Sequence, residues 1–252
     1  MRLWIDTDVG DDPDDAIALL CAAASPALDL VGVSTVDGDH DRRRSLARAL
    51  VDAPVFTGDD PDLGLAVRDV APEAFLAIGP LTNVAALIED GIELPPLTLM
   101  GGVLGAVRHW GHRLDVEHNF GRDPAAARRA LRACQPLVVP LNVTLQARLS
   151  SEELRGVVEA APVLRPNVEG FLELQGQVGV PAAEPAVFLH DPLALLSLVE
   201  PTLFDVEERD VDVEPDGQLI ETAEGAPARV AVGVDARRAI VHVLALVGAD
   251  LG

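Results

Sequence analysis

The sequence predicts an α/β fold with a mostly parallel, open sheet and helices on both faces. Short apolar runs rich in Val, Leu and Ile alternate with stretches rich in Ala, Leu and Arg, a pattern typical of βαβ units. Acidic and polar residues directly follow several of the apolar runs. Because ligands bind at the carboxyl ends of parallel strands, this second pattern indicates a site at one edge of the sheet.

The alternation places strands and helices along the chain as follows. Strands are expected at residues 2–6, 28–36, 54–58, 74–79, 97–102 and 136–142. Helices are expected at residues 13–24, 41–52, 82–90, 124–133, 150–161 and 191–199. The C-terminal part predicts a hairpin or meander over 206–225 that turns at residues 215–217, then a last strand, a turn at Asp235 and a closing helix. No linker or repeat divides the chain, so we expect a single domain over residues 1–252.

The charge of the chain excludes one class of partner. The formal net charge is −22, and all 19 positively charged residues are arginine. A protein that grips phosphates needs a basic patch, so nucleic-acid binding is excluded. No apolar run reaches the roughly 18 residues of a membrane span, and aspartates occupy the stretch where a signal peptide would be apolar. We expect a soluble cytoplasmic protein whose partner is a small molecule.

The N-terminal segment "DTDVGDDPDD" carries six aspartates in residues 6–15. Aspartates at the cap and first turn of a helix are favourable and explain part of this cluster. They do not explain Asp6 and Asp8, which end an apolar run, and no positively charged residue lies between Arg2 and Arg42. Buried carboxylates need a partner. A hard cation such as Ca²⁺, which takes six to eight oxygen ligands, fits best.

Two other acidic motifs fit this segment poorly. An EF-hand loop needs Gly at its sixth position and Glu at its twelfth, but counted from Asp6 these are Asp11 and Ile17. Haloacid-dehalogenase-like phosphatases have D-x-D-x-T and a later lysine. Here Gly10 stands in place of that threonine, and the chain has no lysine.

Four segments together resemble the inosine-uridine-preferring nucleoside hydrolase family. Its D-x-D-x-G…D-D-A signature is similar to Asp6, Asp8, Gly10 and Asp14-Asp15-Ala16, with a turn two residues longer than the shortest family version. Its G-P-L-T-N, M-G-G, E-x-N and H-D-P-x-A motifs resemble "GPLTN" (79–83), "MGG" (100–102), "EHN" (117–119) and "HDPLA" (190–194), in the same order. The resemblance implies a Rossmann-like nucleoside hydrolase fold.

The resemblance also implies a metal-dependent reaction. One Ca²⁺ would lie at the bottom of a ribose pocket, and its expected ligands are Asp8, Asp15, Asp191 and the carbonyl of Thr82. A metal-bound water would attack the anomeric carbon of a ribonucleoside, with Asp8 as general base. Ribose and a free nucleobase would be released, and family members assemble as homodimers or homotetramers.

Further site residues are carried over from the same motifs. The expected ribose-binding residues are Asp14, Glu117 and Asn119. His190 would help to protonate the leaving base, since a His near its ordinary pKa suits an acid. The alternative is that His190 is simply the first residue of a helix and has no catalytic role.

The chain departs from the family pattern at some positions. Asp39 stands where the family has Asn and is expected to contact the sugar differently, and Gly111 replaces an Asn that would contact the 5′-hydroxyl. Trp110 would either stack on the nucleobase or pack on a neighbouring subunit, and His109 or His112 would donate a proton there. Nucleobase preference therefore cannot be transferred.

Two alternatives to nucleoside hydrolysis stay open at this point. An enzyme of the same fold would act on another ribosyl-like glycoside. A non-catalytic Ca²⁺- and ribose-binding protein would keep the metal ligands and lose the leaving-group acid. Release of free ribose separates both enzymes from the binder.

Overall fold

The computed structural model describes residues 1–109, 112–177 and 187–249. Its strands are β1 (Arg2–Thr7), β2 (Asp29–Thr35), β3 (Val55–Thr57), β4 (Ala74–Ala77), β5 (Leu97–Met100), β6 (Val107–His109), β7 (His112–Leu114), β8 (Leu137–Val139), β9 (Arg148–Leu149), β10 (Val187–Phe188), β11 (Phe204–Val213), β12 (Leu219–Glu221) and β13 (Ala226–Val234). Its α-helices are α1 (Pro13–Ala24), α2 (His40–Leu50), α3 (Leu63–Val70), α4 (Thr82–Glu89), α5 (His118–Arg122), α6 (Pro124–Cys134), α7 (Leu141–Thr144), α8 (Ser151–Ala160), α9 (Arg165–Gln177), α10 (His190–Val199) and α11 (Ala236–Val247).

One nine-stranded sheet organises these elements, in the order β12-β11-β13-β8-β5-β4-β1-β2-β3. The strands from β13 to β3 pair in parallel, while β11 pairs antiparallel with both β12 and β13. Separate hydrophobic clusters of buried side chains pack on the sheet. The expected fold class, a mostly parallel α/β sheet, is confirmed.

Local sequence signals explain the elements that border the site. The α1 helix begins at Pro13, the favoured first position, and the Asp12 side chain accepts a hydrogen bond from the Asp14 amide. β1 is buried from Leu3 to Thr7, as expected of a strand covered on both faces. The expected helix over 13–24 is therefore confirmed in type and in bounds.

Other predicted elements needed correction. The strand expected over 136–142 ends at Val139, because Pro140 caps the short helix α7. The strands expected over 74–79 and 97–102 end at Ala77 and Met100, and the residues beyond them form loops. The sequence reasoning placed no helix at α3, α5 or α9 and no hairpin at β6–β7.

The topology places a crevice beside β1. β2 and β3 lie on one side of this strand and β4 and β5 on the other, so the direction of strand addition reverses there. In open parallel sheets the ligand binds at such a switch point, outside the carboxyl ends of the strands. The loops after β1 and β4 therefore form the expected place for a site.

A buried hydrogen-bond network fixes the strand ends under that crevice. The Asp6 carboxylate accepts hydrogen bonds from Ser34 Oγ at 2.5 Å and from Asn83 Nδ2 at 2.8 Å. These contacts join β1, β2 and α4. Burial raises the pKa of Asp6 to about 7. The Asn of the "GPLTN" motif thus has a structural role.

Among the described helices, none combines the length and the apolar character that crossing a membrane requires.

Candidate active site

An acidic cleft opens at the carboxyl ends of β1 and β4, with a volume of about 530 Å³. Its polar lining consists of Asp8, Asp11, Asp12, Asp14, Asp15, Glu117, His118, Asn119, His190 and Asp191. Its apolar lining consists of Ile78, Met100, Leu114, Val116, Leu141, Phe171 and Leu174. The cleft thus has an acidic part that suits a cation or sugar hydroxyls and an apolar part that suits a flat, weakly polar group.

Three buried carboxylates form the centre of the cleft. Ligand oxygens of Asp14, Asp15 and Asp191 lie within 4.8 Å of one another. The first turn of α1 supplies Asp14 and Asp15, and the first turn of α10 supplies Asp191. Asp14 Oδ2 accepts a hydrogen bond from the Asp191 amide at 3.2 Å, and Asp15 Oδ1 accepts one from Thr7 Oγ1 at 2.5 Å.

The negative charge of this cluster is only partly offset by nearby positive charge, since Arg43 acts on Asp15 against the larger effects of burial and of the other carboxylates. Burial, and then the neighbouring carboxylates, raise the pKa of Asp14, Asp15 and Asp191 well above the ordinary value. Carboxylates packed this closely are unfavourable without a positive partner. An all-oxygen donor set of this kind fits a hard divalent cation.

Asp8 lines the same cleft beside the cluster. Its Oδ2 lies 3.9 Å from Arg43 Nη2 and 4.0 Å from His118 Nε2. Burial raises the pKa of Asp8, and the positive charge of Arg43 opposes that rise. Among the described residues, the 4.8 Å group contains Asp14 and not Asp8. The metal-binding role expected for Asp8 therefore stays a prediction.

Gly79, which follows β4, leaves the space that Asp8 occupies. A Cβ atom at this position would lie 2.9 Å from the Asp8 backbone nitrogen and 3.0 Å from its Oδ1. We expect Gly79→Ala to displace Asp8 and to lower kcat by about tenfold or more. Gly156→Ala is the matched control, since a Cβ there makes only an ordinary contact of 3.7 Å with Ala249. Equal kcat values for the two variants would contradict this reading.

Glu117 and Asn119 are both buried and face the cleft. Glu117 caps α5 and accepts hydrogen bonds from three backbone amides, those of Gly102, Asn119 and Phe120. Asn119 Nδ2 donates to the carbonyls of Ile78 at 3.1 Å and Met100 at 3.2 Å. This fixes the amide and leaves its Oδ1 for another donor. Both residues lie where the motif predicted, and their contact with ribose stays a prediction.

Two expected site residues lie outside the cleft. Thr82 is exposed at the start of α4, and its hydroxyl donates to Asp123 Oδ2 at 2.8 Å. Of the described residues in this segment, Ile78 is among those that line the cleft. Asp39 is exposed, because it caps α2 by accepting a hydrogen bond from the Arg42 amide. Neither residue is among those that line the cleft. The roles expected for the Thr82 carbonyl as a metal ligand and for Asp39 as a sugar ligand stay predictions.

His190 lies in the cleft, but its pKa is not near the ordinary value that was expected for it. Burial lowers the pKa of His190 to about 3, so the ring is neutral at physiological pH instead of near its ordinary pKa. Its Nδ1 lies 2.7 Å from Thr144 Oγ1, and its ring stacks on Phe188 at a centroid distance of 5.6 Å. A neutral imidazole held in this way still carries one ring N–H donor.

The residues proposed to contact the nucleobase are only partly described. Trp110 and Gly111 lie outside the described residues. His109 packs edge-on against Phe188 at 5.0 Å, and burial lowers the pKa of His109. His112 is exposed in β7. A proton-donor role for either His stays a prediction.

The sequence reasoning missed several residues of the cleft. Phe171 and Leu174 come from α9, and His118 lies between the two motif residues of "EHN". The spacing of Val168, Phe171 and Leu172, three and four residues apart, is a helical signal that could have revealed α9. The contact of Arg43 with Asp8 spans 35 residues of sequence and has no local signal.

The raised carboxyl pKa values predict how the free energy of unfolding depends on pH when no cation is bound. Asp6 and Asp12 have pKa values raised to about 7 by burial, so the folded chain binds protons more tightly than the unfolded chain. These two carboxyls therefore contribute most to the free energy of unfolding in acid, and their contribution is lost as the pH rises through about 7. The lowered pKa of the buried His190 opposes this trend below its ordinary pKa, but it is one group against several raised carboxyls. Asp212, whose pKa two arginines lower despite the opposing effect of its partial burial, titrates below this range.

Urea unfolding in chelator between about pH 5 and about pH 8 measures this effect. We expect the unfolding midpoint to fall across the range, and to fall less when calcium is added. A midpoint that rises with pH in chelator would contradict the account.

Comparison with known proteins identifies the family. A model described as inosine-uridine preferring nucleoside hydrolase matches residues 65–240, well over half of the chain. The chain belongs to this family. It is an enzyme of the nucleoside hydrolase class. The matched range contains the Glu117, Asn119, His190 and Asp191 positions, while the aspartates of residues 6–15 precede it.

Individual relatives agree with the family over nearly the whole chain. The non-specific ribonucleoside hydrolase RihC of Escherichia coli O127:H6 is 28% identical over 98% of this chain and 99% of its own. A purine-preferring ribonucleoside hydrolase from Gardnerella vaginalis has a similar fold, with a TM-score of 0.81, 22% identity and 98% of both chains covered. The plant nucleoside hydrolase PpNRh1 gives a TM-score of 0.80 at 22% identity, with 99% of both chains covered.

Proposed function

We propose that this enzyme hydrolyses the N-glycosidic bond of ribonucleosides and releases ribose and a free nucleobase with the help of bound Ca²⁺. One observation carries the proposal. A cluster of three buried carboxylates and the separate carboxylate of Asp8 meet at the switch point of a sheet in a chain of the nucleoside hydrolase family.

The cluster is the proposed place of the cation. The carboxylates of Asp14, Asp15 and Asp191 would hold it, with Asp8 lining the same cleft and the Thr82 carbonyl as a further proposed ligand. Bound Ca²⁺ would lower the pKa of a water molecule and fix two sugar hydroxyls. The raised pKa values of the three carboxyls support this, because a cation removes the cost of their close approach.

The side chains of the cleft supply the remaining roles. The water oxygen forms a bond to the anomeric carbon, the Asp8 carboxylate takes the proton of the water, and the carbon–nitrogen bond breaks with its electrons on the base. Asn119 Oδ1 accepts a hydrogen bond from a sugar hydroxyl, since its Nδ2 is already engaged. His190 donates a hydrogen bond from its neutral ring N–H to the departing base, which takes its proton from solvent after the bond has broken.

The family likeness also supports two broader proposals. Copies of the chain assemble as homodimers or homotetramers, and the enzyme acts in nucleoside salvage in the cytoplasm. Light scattering on the purified protein tests the assembly, and a monomer at micromolar concentration would contradict it.

A substrate panel tests the reaction. Purified protein is incubated with purine and pyrimidine ribonucleosides, with calcium and with chelator, and free ribose is assayed by its reducing end. We expect ribose to be released in calcium and not in chelator. Calcium binding without ribose release from any nucleoside would contradict the proposal and favour another ribosyl-like glycoside or a non-catalytic binder.

A further inference from the structure

Arg43, in the first turn of α2, is a buried arginine that the reaction as described leaves without a role. It is 6% exposed, although arginine is among the residues that are seldom buried without a partner. Its position is unusual because the guanidinium lies directly behind the acidic cleft, 3.9 Å from Asp8 Oδ2.

The guanidinium joins the two loops that end at the cleft. Nε donates to the Asp37 carbonyl at 2.9 Å, in the turn after β2. Nη2 donates to Asp11 Oδ2 at 3.2 Å, in the loop after β1. The planar fork of arginine can make both contacts at once, which a lysine ammonium cannot do with the same geometry.

The hydrogen bonds of Arg43 are also incomplete. Its Nη1 is buried and has no acceptor among the described residues. Buried polar groups that serve only the fold are nearly always satisfied, and exceptions call for another explanation. Arg44 also has an unpaired buried nitrogen, Nε, so what sets Arg43 apart is the position of its guanidinium beside the Asp8 carboxylate.

Arg42 of α2 and Asn167 of α9 make further contacts with the loop after β1. Arg42 Nη1 donates to Asp11 Oδ1 at 3.1 Å, and Arg42 Nη2 donates to the Gly10 carbonyl at 2.6 Å. Asn167 Nδ2 of α9 donates to the same carbonyl at 3.1 Å. This is the loop that is two residues longer than the shortest family version. Its conformation between Asp8 and α1 is therefore set by residues of α2 and α9.

We propose that Arg43 is a positioning residue that, together with Asp11, holds the Asp8 carboxylate in the orientation in which it accepts the proton of the attacking water. The proposal rests on the proposed function and extends it to a residue outside the family motifs quoted above. Arg43 acts through Asp8 and does not touch the substrate. Its loss therefore lowers the rate of the chemical step more than it weakens substrate binding.

Arg43→Gln tests this, with Arg44→Gln as the matched control. Arg44 is the next residue of α2 and pairs with Asp60 at 2.9 Å, away from the cleft. We expect Arg43→Gln to lower kcat by about 10²-fold, because a small misplacement of a catalytic group has an effect of that size. KM should change by less than about threefold. Arg44→Gln should keep the kcat of the wild type.

Calcium affinity supplies a readout that does not depend on turnover. Arg43→Gln frees the Asp8 carboxylate from its cationic partner, so we expect calcium to bind about threefold more tightly or better. Loss of a positive charge near the cluster also tightens binding directly, since Arg43 acts on Asp15, so the comparison with the Asp8→Asn background makes the distinction. In an Asp8→Asn background the gain should largely disappear, because the affected carboxylate is absent.

Each outcome decides the proposal. A kcat for Arg43→Gln equal to that of Arg44→Gln would overturn it, as would a calcium effect that persists unchanged in the Asp8→Asn background. If Arg43→Gln does not fold, Arg43→Lys takes its place, and wild-type kcat in that variant overturns the proposal. If the wild type releases no ribose, the proposed function fails. The calcium affinities of Arg43→Gln, Asp8→Asn and the double variant still decide whether Arg43 acts on Asp8.

Discussion

Replacing Asp8 by Asn is expected to lower kcat for ribonucleoside hydrolysis by a factor of about 10² to 10⁴, the usual contribution of a general base. The amide has nearly the shape of the carboxylate but cannot take the proton of the attacking water. Because the side chain is partly exposed and lies outside the three-carboxylate group, the variant should fold and still bind calcium. Steady-state assays of ribose release measure the effect.

Asp41→Asn is the matched control for this variant. Asp41 is an exposed carboxylate in the first turn of α2, outside the cleft, and its loss should leave kcat unchanged. Near-wild-type turnover in Asp8→Asn would remove Asp8 from the role of base and leave the identity of the proton acceptor open.

The second large effect is expected at the carboxylate cluster. Asp191→Asn should weaken calcium binding by about 10²-fold or more, because one of three clustered charges is lost from the site. In chelator the same change should raise the melting temperature, since burial and the neighbouring aspartates disfavour the charged form of Asp191. Calorimetric titration with calcium and thermal unfolding in chelator measure the two effects.

Opposite signs of these two effects distinguish a metal ligand from a structural residue. Asp52→Asn, at an exposed position after α2, is the control and should change neither quantity. An Asp191→Asn variant that binds calcium like the wild type would contradict the proposed metal site, even if its activity were lost.

The fold was predictable where local signals and periodicity agreed. The α1 helix has a capping Asp, a Pro at its first position and a long apolar stretch, so its bounds could be read directly. The hairpin β11–β12, the strand β13 and the helix α11 were also placed correctly from the turn at residues 215–217 and from Asp235.

The α9 helix shows where this reasoning failed. It contains Pro166, Gly170 and Gly176, and glycine lowers intrinsic helix propensity. Packing of its apolar positions against the rest of the chain outweighs that propensity. Since Phe171 and Leu174 of this helix line the cleft, the missed helix also hid part of the site.

The motifs predicted which segments of the chain line the cleft. They did not predict which way the individual side chains of the loops point. Asp14, Asp15, Asp191, Glu117 and Asn119 line one cleft. The close carboxylate group contains Asp14, which the motifs assigned to ribose, and not Asp8, which they assigned to the metal. The contacts of the Thr82 hydroxyl with Asp123 and of the Asp39 side chain with the Arg42 amide were not predicted, because a motif does not show which way each side chain of a turn points. Arg43 had no local signal, since its contacts come from the tertiary fold.

Titration of the chelator-treated enzyme with calcium, followed by the initial rate of ribose release, tests the central claim most directly. The account predicts no release before calcium is added and a rate that saturates at one calcium ion per chain. Ribose release at full rate in chelator, with no change on addition of calcium, would contradict it.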